Sequence, residues 1–331
     1  MSAPETTTGT TTTSTSGSAE LGTALGTAPT TAEASRTSAA RPGLLAGLLA
    51  GPGRVRAFLR SLLGSPSGAI GTVLVLLVVL VAVLAPVIAP HPYAQVNFRL
   101  PFQVPFTEGF LLGTDDLGRD VFSRLVFGVR ASLQVGLLAV LLAVVVGVPL
   151  GLLAGYWRPA DAVISRLNDV ALAFPFLVLA VGFTAINGAS LQNAAIALGI
   201  AAVPTMIRVV RGETLRIKEL DFVMAAKATD APLWRILLLH IMPNAASAII
   251  VQATVILPGA VLGEATLSFL GLGIQPPNPS LGIMLSDTQG YIYRAPEGAV
   301  WPGLAILVIC LAFNMFGDAL RDALDPSTRK G

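Results

Sequence analysis

"AIGTVLVLLVVLVAVLAPVIAP", residues Ala69–Pro90, contains no charged side chain from its first residue to its last. A helix needs about 20 predominantly apolar residues to cross the roughly 30 Å hydrocarbon core of a bilayer. Because lipid offers the backbone no hydrogen-bonding partners, a segment of this kind must be helical. The stretch therefore predicts a transmembrane helix and places the chain among integral membrane proteins.

The composition of the whole chain agrees with a membrane protein. Of its 331 residues, 53% are hydrophobic and 12% are charged, whereas soluble domains contain about 25% charged residues. The net charge is only +2, and the sequence has no basic stripe with interleaved aromatic residues, which argues against nucleic acid as a partner. The single cysteine, Cys310, lies in an apolar run, so we expect a small buried hydrophobic residue and no internal disulfide.

Further apolar windows follow Ala69–Pro90 along the chain. The uncharged run Val170–Ile207 is too long for one span, and the turn-forming sequence "INGAS", Ile186–Ser190, divides it into two. The predicted fold is an all-α integral membrane protein with six transmembrane helices, at about residues 69–90, 131–156, 170–186, 191–210, 245–272 and 299–316.

Two segments precede the six-span domain, which we place at residues 67–331. Residues 1–40 are mostly Thr, Ser, Ala and Gly, and they bury too little apolar surface to offset the entropy of ordering, so we predict a disordered tail. Residues 41–66 place Val55, Phe58, Leu59, Leu62 and Leu63 on one helical face with arginines opposite. This pattern favours a basic amphipathic helix on the membrane surface, with a solvated linker as the alternative.

The distribution of basic residues predicts the orientation in the membrane. An even number of spans places both termini on one side. Most lysines and arginines lie in the N-terminal segment, the loops after spans two and four, and the C-terminus. Because cytoplasmic segments carry the excess of basic residues, we expect a multi-pass protein of the cell membrane with both termini in the cytoplasm.

The loop between spans one and two contains "LLGTDDLGRDVFSRLVFGVRASL". Its apolar residues recur with helical spacing, with Asp120 and Arg124 on the other face, which predicts an amphipathic helix leading into span two. Asp115, Asp116 and Asp120 resemble part of a calcium loop but lack its remaining oxygen ligands. We therefore predict no metal site here.

No residues point to catalysis by this chain. It has no GxxxxGK[ST] phosphate loop, and the topology places its two histidines, His91 and His240, on opposite membrane faces. No catalytic residue, metal ligand or cofactor site is predicted. One carboxylate, Glu264, lies inside span five, where a charge is costly. Three readings remain open for it: a hydrogen-bonded site between helices, a contact with a polar substrate in a pore, and proton-coupled transport.

A polar segment interrupts the apolar runs between spans four and five, and it includes "AAKATDAPLWRILLLHIMPN", Ala225–Asn244. Residues 221–228 read as one helix, and residues 233–241 read as a second helix that ends before Pro243. Between them Asp230 is expected to adopt a left-handed conformation, and Pro232 suits the start of the second helix. We call residues 221–244 the elbow. It reads either as a docking knob for another protein or as an ordinary cytoplasmic loop.

The elbow resembles the cytoplasmic coupling loop of permease subunits in binding-protein-dependent ABC importers. That loop begins Glu-Ala-Ala, has Gly at its turn and ends with Pro-Asn; here Met224 replaces the Glu and Asp230 replaces the Gly. The resemblance implies a coupling loop at residues 213–244. The residues it implies for contact with the ATPase are Ala225, Ala226, Ala228, Asp230, His240, Pro243 and Asn244.

Three other stretches, Leu112–Gly128, Glu264–Gly282 and Phe313–Pro326, are similar to the second permease of dipeptide, oligopeptide and nickel importers. This resemblance covers about residues 67–326 and implies the type I ABC importer permease fold. It also implies four kinds of partner: a second homologous permease, ATP-binding cassette subunits that hold ATP and Mg²⁺, an extracytoplasmic substrate-binding protein, and the lipid bilayer.

The substrate implied by this resemblance is a dipeptide or oligopeptide, with nickel chelates, glutathione-like compounds and haem left open. A secondary transporter that works without an ATPase is the main alternative. It predicts an inverted repeat between the two halves of the chain and discontinuous helices around a polar site at the midplane. Neither feature is visible in the sequence.

Overall fold

The computed structural model describes residues 58, 60–107 and 109–324. Within these ranges the chain is a bundle of apolar helices. The helices are α1 (Pro66–Ile88), α2 (Val121–Tyr156), α3 (Arg158–Ala173), α4 (Phe176–Asn187), α5 (Leu191–Ile217), α6 (Asp221–Ala228), α7 (Leu233–Arg235), α8 (Met242–Phe269), α9 (Leu281–Thr288) and α10 (Glu297–Leu324). A π-helical turn, Ile236–Ile241, joins α7 to α8 without a break.

The predicted all-α membrane fold is confirmed. In the described part of the chain five helices are long and apolar enough to cross a bilayer: α1, α2, α5, α7 continued into α8, and α10. The pair α3 and α4 passes the same test when counted as one broken span, which gives six. Many large apolar side chains on α1 are exposed, including Val87. Such a surface is suited to lipid or to another membrane protein rather than to water.

The third span is not the single helix predicted at about residues 170–186. The chain is helical from Arg158 to Ala173, bends by 89°, and is helical again from Phe176. Pro175 explains the bend, because it has no N–H to donate and forces the preceding Phe174 into an extended conformation. With 12 residues, α4 extends only about 18 Å and cannot cross a bilayer alone.

The second span begins earlier than predicted, because the amphipathic segment and the span form one 36-residue helix, α2. Asp120 caps its N-terminus, since the carboxylate accepts hydrogen bonds from the N–H groups of Phe122 and Ser123. The prediction that Asp120 and Arg124 occupy an opposite polar face was wrong. Both side chains are buried. Arg124 is only 3% exposed, and the carboxylates of Asp115 and Asp287 lie against it.

Glycines allow α2 and α5 to pack closely near the ends where the elbow begins. Gly147, Gly151 and Gly155 of α2 face Met206, Val210 and Thr214 of α5. A Cβ on Gly151 would lie 2.7 Å from the Cβ of Val210, and one on Gly155 would lie 2.5 Å from the Cβ of Thr214. Small residues at helix contacts let backbones approach within a membrane, where packing drives association. This contact fixes the end of the bundle from which the elbow emerges.

The predicted disordered tail, residues 1–40, and most of the predicted amphipathic segment, residues 41–66, lie outside the described residues. Among those that are described, Leu62 is 5% exposed. It packs against residues of the last turns of α10, namely Ala319, Leu320 and Ala323. Leu62, one of the residues on the apolar face of the predicted amphipathic segment, therefore packs against α10.

The bundle has two ends. The elbow leaves α5 at Ile217 and enters α8 at Met242, and we call this the elbow end. The helix α8 has 28 residues and so extends about 42 Å, which places its last residue, Phe269, and the following α9 at the opposite end. We call that the far end. Candidate functional residues lie at both ends.

Candidate functional site: the elbow and the far-end polar network

The turn of the elbow has the geometry of a left-handed helix cap. Asp230 has a φ of +53°, which confirms its predicted left-handed conformation. Its N–H donates to the carbonyl of Lys227, and the N–H of Ala231 donates to the carbonyl of Ala226. These bonds satisfy carbonyl groups at the end of α6, as glycine-containing caps commonly do. Asp230 therefore performs the conformational role that glycine has in the similar coupling loops.

This geometry predicts opposite effects of two substitutions. We expect Asp230→Gly to preserve the elbow, because glycine adopts positive φ without steric cost. We expect Asp230→Val to destabilise it by about 1–2 kcal/mol, because a β-branched side chain clashes in that conformation. Thermal unfolding of the two purified variants beside the natural chain measures the difference. Equal stability of both variants would contradict the assigned strain.

The elbow is fixed to the bundle by one buried side chain and two lysines, one of which, Lys218, lies just before it. Val223 of α6 is fully buried in the core cluster that contains Ile217 and Ile241. Lys218 Nζ donates a 2.9 Å hydrogen bond to the carbonyl of Gly155 near the end of α2. Lys227 Nζ lies 5.3 Å from the ring centre of Tyr156, within the range of a cation–π interaction. These contacts attach the elbow, with Lys218, to both α2 and α5.

A groove opens on the concave side of the elbow, with a volume of about 510 Å³. Its lining is mostly small or apolar: Phe222, Ala225, Ala226, Thr229, Asp230, Ala231, Pro232, Arg235 and His240. Four of the residues predicted for ATPase contact, Ala225, Ala226, Asp230 and His240, line it together. Ala228 is exposed but does not line it.

The second helix of the elbow was predicted from the sequence to end before Pro243, and this prediction was wrong. The π-helical turn Ile236–Ile241 continues into α8, with Pro243 in the first turn of that helix. Proline is tolerated there because the wider turn before it relieves the clash with the backbone four residues earlier. The Asn244 side chain donates a 2.6 Å hydrogen bond to the carbonyl of His240, and His240 Nδ1 lies 3.1 Å from the carbonyl of Arg235. Pro243 and Asn244 therefore act at the junction with α8 rather than in the groove.

At the other end of α8, Glu264 is fully buried and its carboxyl accepts three serine hydrogen bonds. Oε2 accepts from Ser132 of α2, and Oε1 accepts from Ser268 of α8 and from Ser280 at the start of α9, each at 2.7 Å. The structure therefore places Glu264 between helices and closes it off from solvent.

A second polar cluster lies at the far end and consists of Asp115, Arg119, Arg124 and Asp287, and it was not predicted from the sequence. Arg119 Nε donates to Asp115 Oδ2 at 2.6 Å, and Arg124 Nη1 lies 3.3 Å from the same oxygen. Both guanidinium groups also donate to Asp287 Oδ2 at 3.3 Å. Burial raises the pKa of Asp287, and the charges of Arg124 and Arg119 oppose that rise. The only signal in the sequence was a lone aspartate, Asp287, in an otherwise uncharged segment.

Asp115, Asp116 and Asp120 do not form the oxygen cluster that their spacing suggested. Asp115 bonds to arginine, and its other oxygen accepts from the N–H groups of Leu117 and Arg119. Asp120 caps α2 and accepts a hydrogen bond from the Ser123 hydroxyl. Asp115 and Asp120 therefore have protein partners and hold the loop in place.

Comparison with known proteins assigns the family. The family described as "Binding-protein-dependent transport system inner membrane component" matches residues 147–330, which include the whole elbow and Glu264. The chain belongs to this family of transport permeases. A second family, "N-terminal TM domain of oligopeptide transport permease C", matches residues 54–105 of the permease. The resemblance inferred from the sequence is confirmed.

Individual relatives agree with this assignment. The permease is 50% identical over 218 residues to the dipeptide transport system permease protein DppC of Alkalihalophilus pseudofirmus, covering 66% of this chain and 72% of that protein. It is 44% identical over 219 residues to the glutathione transport system permease protein GsiD of Pectobacterium atrosepticum, covering 66% and 73%. Among solved structures, an inward-facing conformation of the MetNI methionine ABC transporter matches with a TM-score of 0.52 and 23% identity, covering 61% of this chain and 96% of that one. The structural match supports the fold alone.

Proposed function

We propose that this permease forms one half of the pathway of an ATP-driven importer for short peptides. The observation that carries the proposal is the 50% identity to a dipeptide permease over 218 residues. The glutathione permease among the relatives fits the same class, because glutathione is itself a small peptide. Nickel chelates and haem serve as comparison substrates.

The partners follow from this assignment. The elbow groove takes an ATP-binding cassette subunit, so the elbow end faces the cytoplasm, together with both termini. The far end receives the extracytoplasmic substrate-binding protein, and a second related permease supplies the other half of the pathway. With a mostly apolar groove, and with Met224 in place of the usual glutamate, docking of the ATPase depends on shape and apolar contact more than on charge.

The permease itself binds no nucleotide in this scheme. It lacks a phosphate-loop sequence, and ATP and Mg²⁺ belong to the partner subunits. ATP closes the ATPase pair, and the elbow transmits that closure because Val223, Lys218 and Lys227 attach it to α2 and α5. Such coupling requires that the docked elbow fit two conformations of the bundle with different affinity.

Reconstitution of the full transporter in proteoliposomes tests the proposal. Uptake of a labelled dipeptide is expected only when the binding protein, both permeases and ATP are present, and an ionophore that collapses ion gradients should leave it unchanged. Uptake that stops with the ionophore and continues without the ATPase would establish a secondary transporter instead. A nickel chelate and haem, offered under the same conditions, test the substrate class, since transport of these in place of peptide would overturn it.

A further inference from the structure

The short helix α9 at the far end is attached to its neighbours by polar side chains at both of its ends, to α8 at its start and to α2 in its last turn. At its start, Ser280 caps the helix by accepting from the N–H of Gly282, and its hydroxyl donates to Glu264. The same carboxyl accepts from Ser132 of α2. Glu264 therefore links three elements, α2, α8 and α9, through a single side chain.

The last turn of α9 has the second attachment. Asp287 accepts hydrogen bonds from Arg119, just before α2, and from Arg124 within α2. Arg124 is buried and the Asp287 side chain is one third exposed, so this ion pair is only partly shielded from water. The start of α9 is thus held by α8 through Glu264, and its last turn is held by the arginines at the start of α2.

Between these attachments α9 packs closely against the backbone of α2 and of α8. A Cβ on Gly128 of α2 would lie 3.0 Å from the Leu281 side chain, and one on Gly282 would lie 2.0 Å from the carbonyl oxygen of Ala265 in α8. Leu281 itself is fully buried. Here α9 closes the space between α2 and α8 at the far end.

The segments that flank α9 are exposed, in contrast to α9 itself. Residues 275–278 precede it and residues 292–294 follow it, and all of them are exposed. Tyr293 makes almost no contact with the rest of the protein. A buried helix between two exposed connections can move as one body, and its release must also break its packing against α8 and α10.

We infer that α9 is the element that closes the far end of the permease, and that Glu264 and Asp287 are positioning residues that hold it closed. This inference rests on the proposed transport cycle, in which the far end must open. A substrate pathway cannot open there while α9 fills the space between α2 and α8. Releasing α9 removes Ser280 from a buried carboxyl, so the closed position is favoured by a defined set of hydrogen bonds. Docking of a partner at the far end then opens the pathway by favouring the released position.

Accessibility of a thiol on α9 tests this directly and independently of transport. The native thiol is removed by Cys310→Ala, and Met284→Cys places a new one on the buried face of α9, where the natural side chain is 6% exposed. In the purified full-length permease, Ser280→Ala or Glu264→Leu removes the hydrogen bond between α9 and Glu264 and is expected to raise the rate of maleimide labelling about tenfold, as expected for loss of one strong hydrogen bond. Asp287→Asn is expected to raise it as well.

Two controls distinguish release of α9 from a loss of packing throughout the helix bundle. Thr184→Val removes another fully buried hydroxyl, on α4, and should leave labelling of Met284→Cys unchanged. A thiol at Val210, buried near the elbow end, should remain unlabelled in all variants. The inference fails if both thiols become reactive together, or if neither Ser280→Ala nor Glu264→Leu affects labelling of Met284→Cys. Peptide uptake measured on the same variants is a separate result, so a wrong substrate class would leave the labelling outcome intact.

Discussion

Replacement of Ala225 by tryptophan is expected to abolish co-purification of the ATPase subunits. Ala225 is exposed at the wall of the elbow groove. An indole there occupies space that a docked partner needs, yet it displaces nothing in the core, because Ala225 is not part of a buried cluster. Loss of a central interface contact of this kind costs 2 kcal/mol or more, so affinity should fall at least about 30-fold.

The matched control places the same side chain elsewhere at the elbow end. Ala162 is exposed on α3, outside the groove, and Ala162→Trp should retain the ATPase. Pull-down of the complex and substrate-stimulated ATP hydrolysis are the two measurements. If Ala225→Trp retained the ATPase as well as Ala162→Trp does, the groove would not be the docking site.

Replacement of Gly151 by leucine is expected to prevent formation of a stable bundle. The first added carbon would lie 2.7 Å from Val210 Cβ and 3.0 Å from the carbonyl oxygen of Ile207. Neither neighbour is the mobile tip of a side chain, so α2 and α5 must separate, and their packing is lost along the glycine face. We expect a destabilisation of about 3 kcal/mol or more, at the upper end of measured overpacking effects.

Gly182→Leu provides the comparison, because it makes the same change in an apolar helix with no heavy atom near the new Cβ. Size-exclusion profiles and thermal unfolding in detergent should show a monodisperse, stable protein for Gly182→Leu and an aggregated or unstable one for Gly151→Leu. Equal behaviour of the two would mean that the close approach of α2 and α5 does not support the fold.

The sequence was most informative where one local property decides the structure. Long uncharged windows identified the spans, since the cost of burying charge in lipid dominates there. Asp230 was identified as a left-handed turn residue from its type and its place between two helices. The break at Pro175 could also have been predicted from residue type, because proline interrupts a helix. The continuous apolar run around it suggested an unbroken span instead.

Contacts between distant segments could not be predicted in this way. Arg124 and Asp287 are separated by 163 positions, and nothing in either neighbourhood indicates the other. The serines around Glu264 are common residues whose role appears only when α2, α8 and α9 meet. The glycine face of α2 follows a four-residue spacing, but its partner helix depends on the topology of the bundle.

The π-helical turn Ile236–Ile241 sets how far α8 is rotated about its own axis relative to the elbow. In an α-helix each residue turns the chain by about 100°, so one residue gained or lost within this turn rotates everything beyond it by that angle. The helix α8 then presents a different side to its neighbours, and Glu264, more than 20 residues on, faces away from Ser132. The length of this one turn therefore sets the orientation of a side chain at the opposite end of the bundle.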